Sequence, residues 1–219
     1  QMCGKLIVAT NESEMPRLQE LHRRGSANGV VGLKMVGVEE LRELEPNAAG
    51  VAAVHSPNTG IIDYMDVSLA LAGEIEASGA RVHTGVEVMQ ISERDGRVVI
   101  ETSEGEATAK SLVNCAGLHA DSVARAMGLD IDIRIVPFRG EYFTLGPESA
   151  GLINGLLYPV PDPKMPFLGV HFTRTIEGGV ECGPNAVLAL AREGYRKRDV
   201  HLGDLCESLT YPGFLRLAA

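Results

Sequence analysis

A run of β-forming sequence in the middle of the chain restricts the possible folds more than any other feature. Residues 81–91, 97–102 and 107–114 are rich in β-branched side chains and are joined by Asp95-Gly96 and by Ser103-Glu104-Gly105. Asp-Gly between two such stretches is a strong signal for a tight hairpin, because both residues tolerate a positive φ. The sequence therefore predicts a three-stranded antiparallel meander.

The meander leads directly into residues 111–128, SLVNCAGLHADSVARAMG. This pattern is typical of an apolar strand, a turn of small residues at Cys115-Ala116-Gly117 and a short amphipathic helix. Such a turn lets the backbone approach a ligand closely, and the first turn of a helix offers unpaired N–H groups to an anion. A plain strand-to-helix connection has the same pattern, so the turn indicates a nucleotide site only together with its surroundings.

In the rest of the chain, the spacing of apolar residues separates predicted strands from predicted helices. Before the meander, strands are predicted at 5–10, 30–36 and 51–55, and helices at 13–24, 38–45 and 64–77. After Gly128, long apolar runs at 133–145, 152–160, 167–174 and 179–183 favour an antiparallel sheet, and residues 186–219 are predicted to be mostly helical.

Charge and cysteine usage exclude several classes of protein. The net charge is −9 and no basic patch is present in the sequence, which argues against nucleic acid or an anionic membrane as a partner. Cys3, Cys115, Cys182 and Cys206 are scattered without a C-x-x-C pair, so a disulfide framework or a zinc site is not expected. No metal site is predicted, and reduced thiols favour a cytoplasmic protein.

Seven segments carry a family resemblance: CGKLIVAT (3–10), TGIIDYMDV (59–67), LVNCAGLHAD (112–121), VPFRGEYF (136–143), YPVPDP (158–163), FLGVHFT (167–173) and GPNAVLA (183–189). With them the chain resembles the D-amino-acid-oxidase-like superfamily of FAD enzymes, and most closely its L-2-hydroxyglutarate dehydrogenase/oxidase branch. The turn at 112–117 is shared across the superfamily, whereas the last four segments are specific to that branch.

The resemblance implies an α/β (α+β) fold of two interleaved domains. Residues 61–133 would form a partial FAD-binding domain with the β-meander, and residues 1–60 and 134–219 an antiparallel-sheet substrate-binding domain. The implied reaction is oxidation of L-2-hydroxyglutarate to 2-oxoglutarate by hydride transfer to flavin.

One part of the family pattern is not found in this sequence. The N-terminal G-x-G-x-x-G unit is absent, and Gly29-Val30-Val31-Gly32 has the wrong glycine spacing to replace it. We therefore expect an internal piece of a longer protein that does not retain FAD by itself. Flavin absorbance co-purifying at near one equivalent would contradict this expectation.

Three residues are candidates for catalysis. His171, in the segment LGVHFT, is predicted to accept the hydroxyl proton, since an imidazole is a base near neutral pH. The alternative is a structural histidine whose hydrogen bonds are all made within the sheet. Arg139, in an apolar strand, would pair with a substrate carboxylate or with Glu141 two residues on. Tyr142 would cover the flavin, donate to a carboxylate or pack in the core.

Further residues are candidates for binding. His55, Tyr158, Arg174 and Asn185 are predicted to bind substrate, with core packing open for Tyr158 and a turn role open for Asn185. The cofactor contacts are predicted at Val86, Val88, Cys115, Ala116 and Gly117. A nucleophilic role for Cys115 is rejected, because apart from His119 no basic neighbour lowers its pKa.

Other functions remain open at this point. Another oxidase of the superfamily, acting on glycine, an amine or glycerol 3-phosphate, is the main alternative, and a non-catalytic binding domain is a third. A small-molecule 2-hydroxy acid is the predicted partner, a peripheral membrane or quinone link in the parent enzyme is left open, and the sequence does not indicate an oligomeric state.

Overall fold

The computed structural model describes residues 1–164 and 167–218, which contain ten strands and six α-helices. The strands are β1 (Lys5–Ala9), β2 (Lys34–Gly37), β3 (Ala52–Ser56), β4 (Val88–Arg94), β5 (Arg97–Thr102), β6 (Gly105–Ala109), β7 (Phe138–Thr144), β8 (Leu156–Pro159), β9 (His171–Arg174) and β10 (Val180–Leu188). The helices are α1 (Met15–Ala27), α2 (Val38–Leu44), α3 (Tyr64–Ala77), α4 (Ala120–Ala126), α5 (Leu202–Thr210) and α6 (Pro212–Ala218).

The strands form two sheets, which confirms the predicted α/β (α+β) class. A seven-stranded sheet has the order β2-β3-β1-β8-β9-β10-β7, and β4-β5-β6 form the antiparallel meander. Within the large sheet β1 and β8 run parallel, although the sequence predicts antiparallel pairing throughout. No hairpin connects these two strands, which are far apart in the sequence, so no turn fixes their relative direction.

The chain divides into two units. Unit 1 comprises Gln1–Leu71 and Gly140–Val187, and unit 2 comprises Ala72–Arg139 and Leu188–Ala219, of which Ala219 lies outside the described residues. Residues 188–218 therefore group with the meander, whereas the sequence boundaries place them in the substrate-binding domain. Which unit serves the cofactor and which the substrate remains a prediction.

The core of unit 1 lies on both faces of the large sheet, because side chains alternate along β1. Leu6 and Val8 pack on one face against Leu41 of α2. Ala9 packs on the other face with Leu18 of α1. Each helix thus covers one face at the β2-β3-β1 end of the sheet.

The predicted hairpin is confirmed, but two predicted strands are shorter than expected. Asp95 and Gly96 both have positive φ, +54° and +70°, as a tight turn requires. β4 begins at Val88, and β6 ends at Ala109. Residues 110–114 do not extend it, because β5 pairs only with residues up to Ala109 and no other described strand flanks them. Val113 is 81% exposed as a result.

Other boundaries also differ from the pattern-based prediction. β2 starts at Lys34 instead of residue 30, after turns at 28–29 and 31–32. Residues 189–201 are irregular, so the helical C-terminal part begins only with α5. By contrast, α3 has the predicted bounds, and the Oδ1 of Asp63 accepts a hydrogen bond from the Met65 N–H at 2.7 Å, which is the predicted helix cap.

Candidate active site

A row of aromatic and basic side chains crosses one face of the large sheet in unit 1. The pairing of β8 with β9 places Tyr158 opposite His171, and their rings stack with centroids 4.0 Å apart and planes inclined by 13°. From β1, on the other flank of β8, Lys5 holds its Nζ 3.8 Å from the centre of the Tyr158 ring. Three neighbouring strands thus contribute one side chain each to a continuous row.

The row continues across β10 because the residue opposite His171 is a glycine, Gly183. A Cβ there would lie 2.7 Å from Cδ1 of Tyr142 and 2.9 Å from the carbonyl oxygen of Glu141. The missing side chain leaves room for the Tyr142 ring, which meets the imidazole of His171 edge-on with centroids 6.5 Å apart.

Tyr142 forms the outer end of the row. Burial raises the pKa of its phenol, and the neighbouring Tyr158 and Glu181 raise it further. The group therefore stays protonated at neutral pH and can donate a hydrogen bond. Since the residue is 47% exposed, this donor is accessible to a ligand.

The hydrogen bond at one nitrogen of His171 fixes the chemistry of the other. Nδ1 lies 3.0 Å from the carbonyl oxygen of Gly169, and a carbonyl oxygen can only accept, so Nδ1 carries the proton. In the neutral ring Nε2 then holds the free lone pair. The residue is 5% exposed, and no partner for Nε2 is present among residues 1–164 and 167–218. His171 is thus a buried imidazole with its basic atom available.

A cleft of about 440 Å³ lies beside the row and is lined by Tyr158, Thr173 and residues 60–64, among others. Thr173 follows His171 by two positions in β9, so both side chains lie on the same face. The Thr173 Oγ1 is buried and has no hydrogen-bond partner in the described part of the chain. Because buried hydroxyl groups are nearly always hydrogen-bonded, Thr173 Oγ1 leaves a polar position unused at the wall of the cleft.

His55, predicted to bind substrate, lies on the opposite face. Register pairs His55 with Leu6 and Tyr158 with Ile7, so alternation separates the two side chains. Burial, and then the charge of Lys34, lower the pKa of His55, while Glu40 opposes the shift. The sheet therefore does not bring His55 together with His171.

The other predicted substrate contacts have bonding partners of their own. Arg174 ends β9, lines the cleft and donates from Nη1 to the carbonyl oxygen of Ile153 at 3.1 Å. The Oδ1 of Asn185 accepts from the Glu141 N–H at 3.2 Å and so joins β10 to β7. Arg139 belongs to unit 2 by its contacts, and its Nη1 lies 3.5 Å from the carbonyl oxygen of Gly194.

The turn predicted to contact the cofactor lies in unit 2, and its residues Cys115, Ala116 and Gly117 are exposed. Asn114 holds it in shape, accepting from the Ala116 N–H at 3.2 Å and donating to the carbonyl oxygen of Ala120 at 2.8 Å. Gly117 has φ +52°, and a Cβ there would meet nothing within 4 Å. Exposed backbone with open space beside it fits the close approach of a nucleotide.

Val86 and Val88, the other predicted cofactor contacts, stand at the start of the meander. Val88 opens β4 and is 51% exposed, and Val86 precedes the strand and is partly buried. The described residues contain no group of three or more metal-ligating side chains. They also contain no helix long and apolar enough to cross a membrane.

Comparison with known proteins identifies the class to which this fold and site belong. Residues 1–210 match the family model described as FAD dependent oxidoreductase. The chain belongs to this family, which confirms the resemblance inferred from the seven segments and indicates FAD as the cofactor.

Curated relatives show which members of the family the chain is similar to. The chain is 44% identical to an L-2-hydroxyglutarate dehydrogenase of Indibacter alkaliphilus, covering 100% of this chain and 55% of the relative. It is 46% identical to that of Escherichia coli K12, covering 98% and 51%, and 42% identical to the mitochondrial protein of Homo sapiens, covering 100% and 50%. The chain thus spans about half the length of the curated relatives it matches.

Two solved structures with a similar fold are an oxidase and a dehydrogenase. The L-alpha-glycerophosphate oxidase of Mycoplasma pneumoniae, solved with FAD bound, is 27% identical with a TM-score of 0.76, covering 91% of this chain and 54% of that one. An L-proline dehydrogenase from P. horikoshii, 19% identical over 99% of this chain and 56% of its own, has a TM-score of 0.74 and supports the fold alone.

Two residues of the row and cleft were missed from the sequence, Lys5 and Thr173. Lys5 stands in the otherwise apolar segment KLIVA, and a cation in such a segment is a usable signal. Thr173 could have been found by counting two positions on from His171 within one strand.

Proposed function

We propose that the protein containing this chain oxidises L-2-hydroxyglutarate to 2-oxoglutarate as an FAD-dependent dehydrogenase. The names of relatives that are 41–47% identical over 98–100% of this chain support the substrate. The observation in the structure that carries the proposal is the His171 imidazole, buried in the sheet and held with its basic nitrogen available.

Oxidation of a 2-hydroxy acid removes a hydride from the carbinol carbon and a proton from its hydroxyl group. FAD, when bound, supplies the hydride acceptor. His171 Nε2 accepts the hydroxyl proton, while the Nδ1–H bond to Gly169 keeps the ring in the correct tautomer. Electron density from the broken O–H bond then forms the carbonyl group of 2-oxoglutarate.

The remaining predicted residues take supporting roles in this proposal. Tyr158 and Tyr142 border the imidazole, and Tyr142 donates a hydrogen bond to the substrate. Arg174, which lines the cleft, supplies a guanidinium group for the carboxylate next to the hydroxyl group, and Arg139 stays a predicted carboxylate ligand. Cys115, Ala116 and Gly117, with Val86 and Val88, contact the cofactor. Asn185 supports the site by joining β10 to β7, whereas His55, on the other face of the sheet, takes no part in the proton transfer.

Turnover of a panel of substrates tests the proposal. The full-length, FAD-loaded protein is mixed with L-2-hydroxyglutarate, glycine or glycerol 3-phosphate, and reduction of an electron-accepting dye is followed. Only L-2-hydroxyglutarate is expected to be oxidised. Oxidation of glycine or glycerol 3-phosphate without oxidation of L-2-hydroxyglutarate would show that the protein belongs to another branch of the family.

Substitution of His171 tests the proton acceptor. In His171→Asn the amide nitrogen takes the place of Nδ1 and keeps a donor for Gly169, but no basic nitrogen remains. We expect kcat to fall about 10²-fold to 10⁴-fold, with flavin content unchanged. A wild-type kcat in this variant would remove His171 from the reaction.

A further inference from the structure

We propose that Lys5 binds the substrate carboxylate that lies farther from the hydroxyl group, and so selects dicarboxylic over monocarboxylic 2-hydroxy acids. This inference rests on the proposed function. It assigns a role in specificity to a residue of β1 to which the sequence analysis gives no function.

The position of Lys5 follows from the order of the strands. β8 lies between β1 and β9, and its Tyr158 ring is stacked on His171 from one side. A parallel imidazole with its centroid 4.0 Å away covers that side of the ring, so the Lys5 Nζ, 3.8 Å from the same ring centre, occupies the other. The phenol ring therefore separates a base from a cation.

The charge of Lys5 is not neutralised by the protein. No Asp or Glu in the described ranges forms an ion pair with Lys5. Its ammonium group instead contacts the face of the uncharged Tyr158 ring. Burial lowers the pKa of the ammonium group. Lys34, by contrast, is ion-paired with Glu40. A partly buried cation without a carboxylate partner gains from pairing with an anion, and the distal carboxylate of the substrate supplies one.

The geometry distinguishes between the two carboxylates of the substrate. The carboxylate at C1 is bonded to the carbinol carbon, so it stays beside the hydroxyl group and hence beside His171. A group on the far side of the Tyr158 ring must be separated from the hydroxyl by several bonds. The C5 carboxylate of 2-hydroxyglutarate meets this condition. The carbon chain runs past the edge of the Tyr158 ring, so that C5 lies on the Lys5 side.

The test compares two substrates that differ only at the distal end. Full-length, FAD-loaded wild type and Lys5→Met are assayed with L-2-hydroxyglutarate and with L-2-hydroxypentanoate, which carries a methyl group in place of the distal carboxylate. The variant is expected to raise KM for L-2-hydroxyglutarate about 10-fold to 100-fold with little change in kcat, and to leave kcat/KM for L-2-hydroxypentanoate unchanged. Lys5→Arg, which keeps the charge, should restore most of the lost affinity.

Binding of glutarate, measured by calorimetry, gives a readout that does not depend on turnover. Its affinity should fall in Lys5→Met by the same factor as for the substrate. Lys197→Met, which removes an exposed lysine of unit 2, is the matched control and should change neither quantity. If Lys5→Met loses flavin or unfolds, Lys5→Gln is measured in its place.

The outcomes separate this inference from the function on which it rests. If wild type does not oxidise L-2-hydroxyglutarate, the proposed function fails. If wild type oxidises it but Lys5→Met is unchanged, or loses equal activity on both substrates, Lys5 does not recognise the distal carboxylate and the inference is overturned.

Discussion

The phenol ring of Tyr158 lies parallel to the imidazole of His171, with the two ring centres 4.0 Å apart. Stacking restricts rotation of the imidazole, and the Nδ1 bond to Gly169 fixes which edge of the ring faces outward. Together they orient Nε2. Both contacts are made by the protein itself, one by the Tyr158 ring of β8 and one by the backbone of Gly169. The imidazole is therefore oriented before any substrate binds.

Replacing Tyr158 tests this orientation. Tyr158→Phe keeps the ring and should keep kcat within about threefold of wild type, whereas Tyr158→Leu loses the stack, worth about 0.5–1.5 kcal/mol, and should lower kcat by up to about 10-fold. Steady-state kinetics of the full-length protein measure the difference. Equal losses in both variants would assign the effect to the hydroxyl group instead of the stack.

Gly183 is predicted to tolerate no side chain. A Cβ would lie 2.9 Å from the backbone oxygen of Glu141, which cannot rotate away as a side chain can. Gly183→Ala should therefore separate β7 from β10 and lower the free energy of unfolding by about 1–3 kcal/mol. Thermal unfolding measures the change.

Gly73→Ala is the control for that substitution. Gly73 lies within α3, and a Cβ there meets nothing within 4 Å. The alanine should leave stability unchanged or raise it by about 0.5–1 kcal/mol, since glycine is unfavourable in a helix interior. A similar loss in both variants would contradict the steric explanation for Gly183.

The sequence predicts local structure well where the signal is local. Asp63 caps α3, and Asp95-Gly96 forms the hairpin turn, because each depends on neighbouring residues only. Pairing between distant segments is not encoded in this way. The parallel contact of β1 with β8 and the absence of a strand at 110–114 depend on which edges are available in the folded chain.

The same distinction holds for the candidate site. His171 could be proposed from the sequence because a histidine in a specific segment is visible in one stretch of the chain. Its relationship to Lys5 and to Tyr142 depends on strand order, and strand order is set by the whole sheet. His55 shows the converse, since a plausible residue type is placed by register on the other face.

The Arg192–Asp121 pair should dominate the stability of unit 2. Both side chains are at most 5% exposed and form two hydrogen bonds, Nη1 to Oδ1 at 2.6 Å and Nη2 to Oδ2 at 3.0 Å. Removing Asp121 takes away both of these bonds, while Arg192 keeps Glu207 at 3.1 Å and Asp204 at 3.9 Å. Asp121→Ala is therefore expected to lower the free energy of unfolding by about 3 kcal/mol, the lower end for a broken buried pair. Urea denaturation measures this loss.

A double substitution separates the pair from its surroundings. Asp121→Leu with Arg192→Met removes both buried charges and should recover much of the loss. Arg125 and Glu207 each lose one partner, but they still lie 3.8 Å apart as an ion pair and are more exposed than the replaced residues. The exposed pair Arg23–Glu20 is the control, and Glu20→Gln should not change stability measurably. A double variant as unstable as the single one would show that packing, and not charge, explains the loss.

Asp121 also predicts how stability depends on pH. Burial, the largest effect, raises the pKa of its carboxyl group, but hydrogen bonds from Arg192, from the Ile135 N–H and from Arg125 outweigh it and hold the pKa well below its usual range. The folded state thus binds a proton less readily than the unfolded state. The stabilisation is complete above the unfolded pKa and is lost as pH falls through the folded pKa.

We expect a loss of about 2 kcal/mol between about pH 5 and pH 2 in wild type, and a flatter profile over the same range in Asp121→Asn. Urea midpoints measured across this range provide the check, and parallel profiles for the two proteins would show that other carboxylates cause the acid sensitivity.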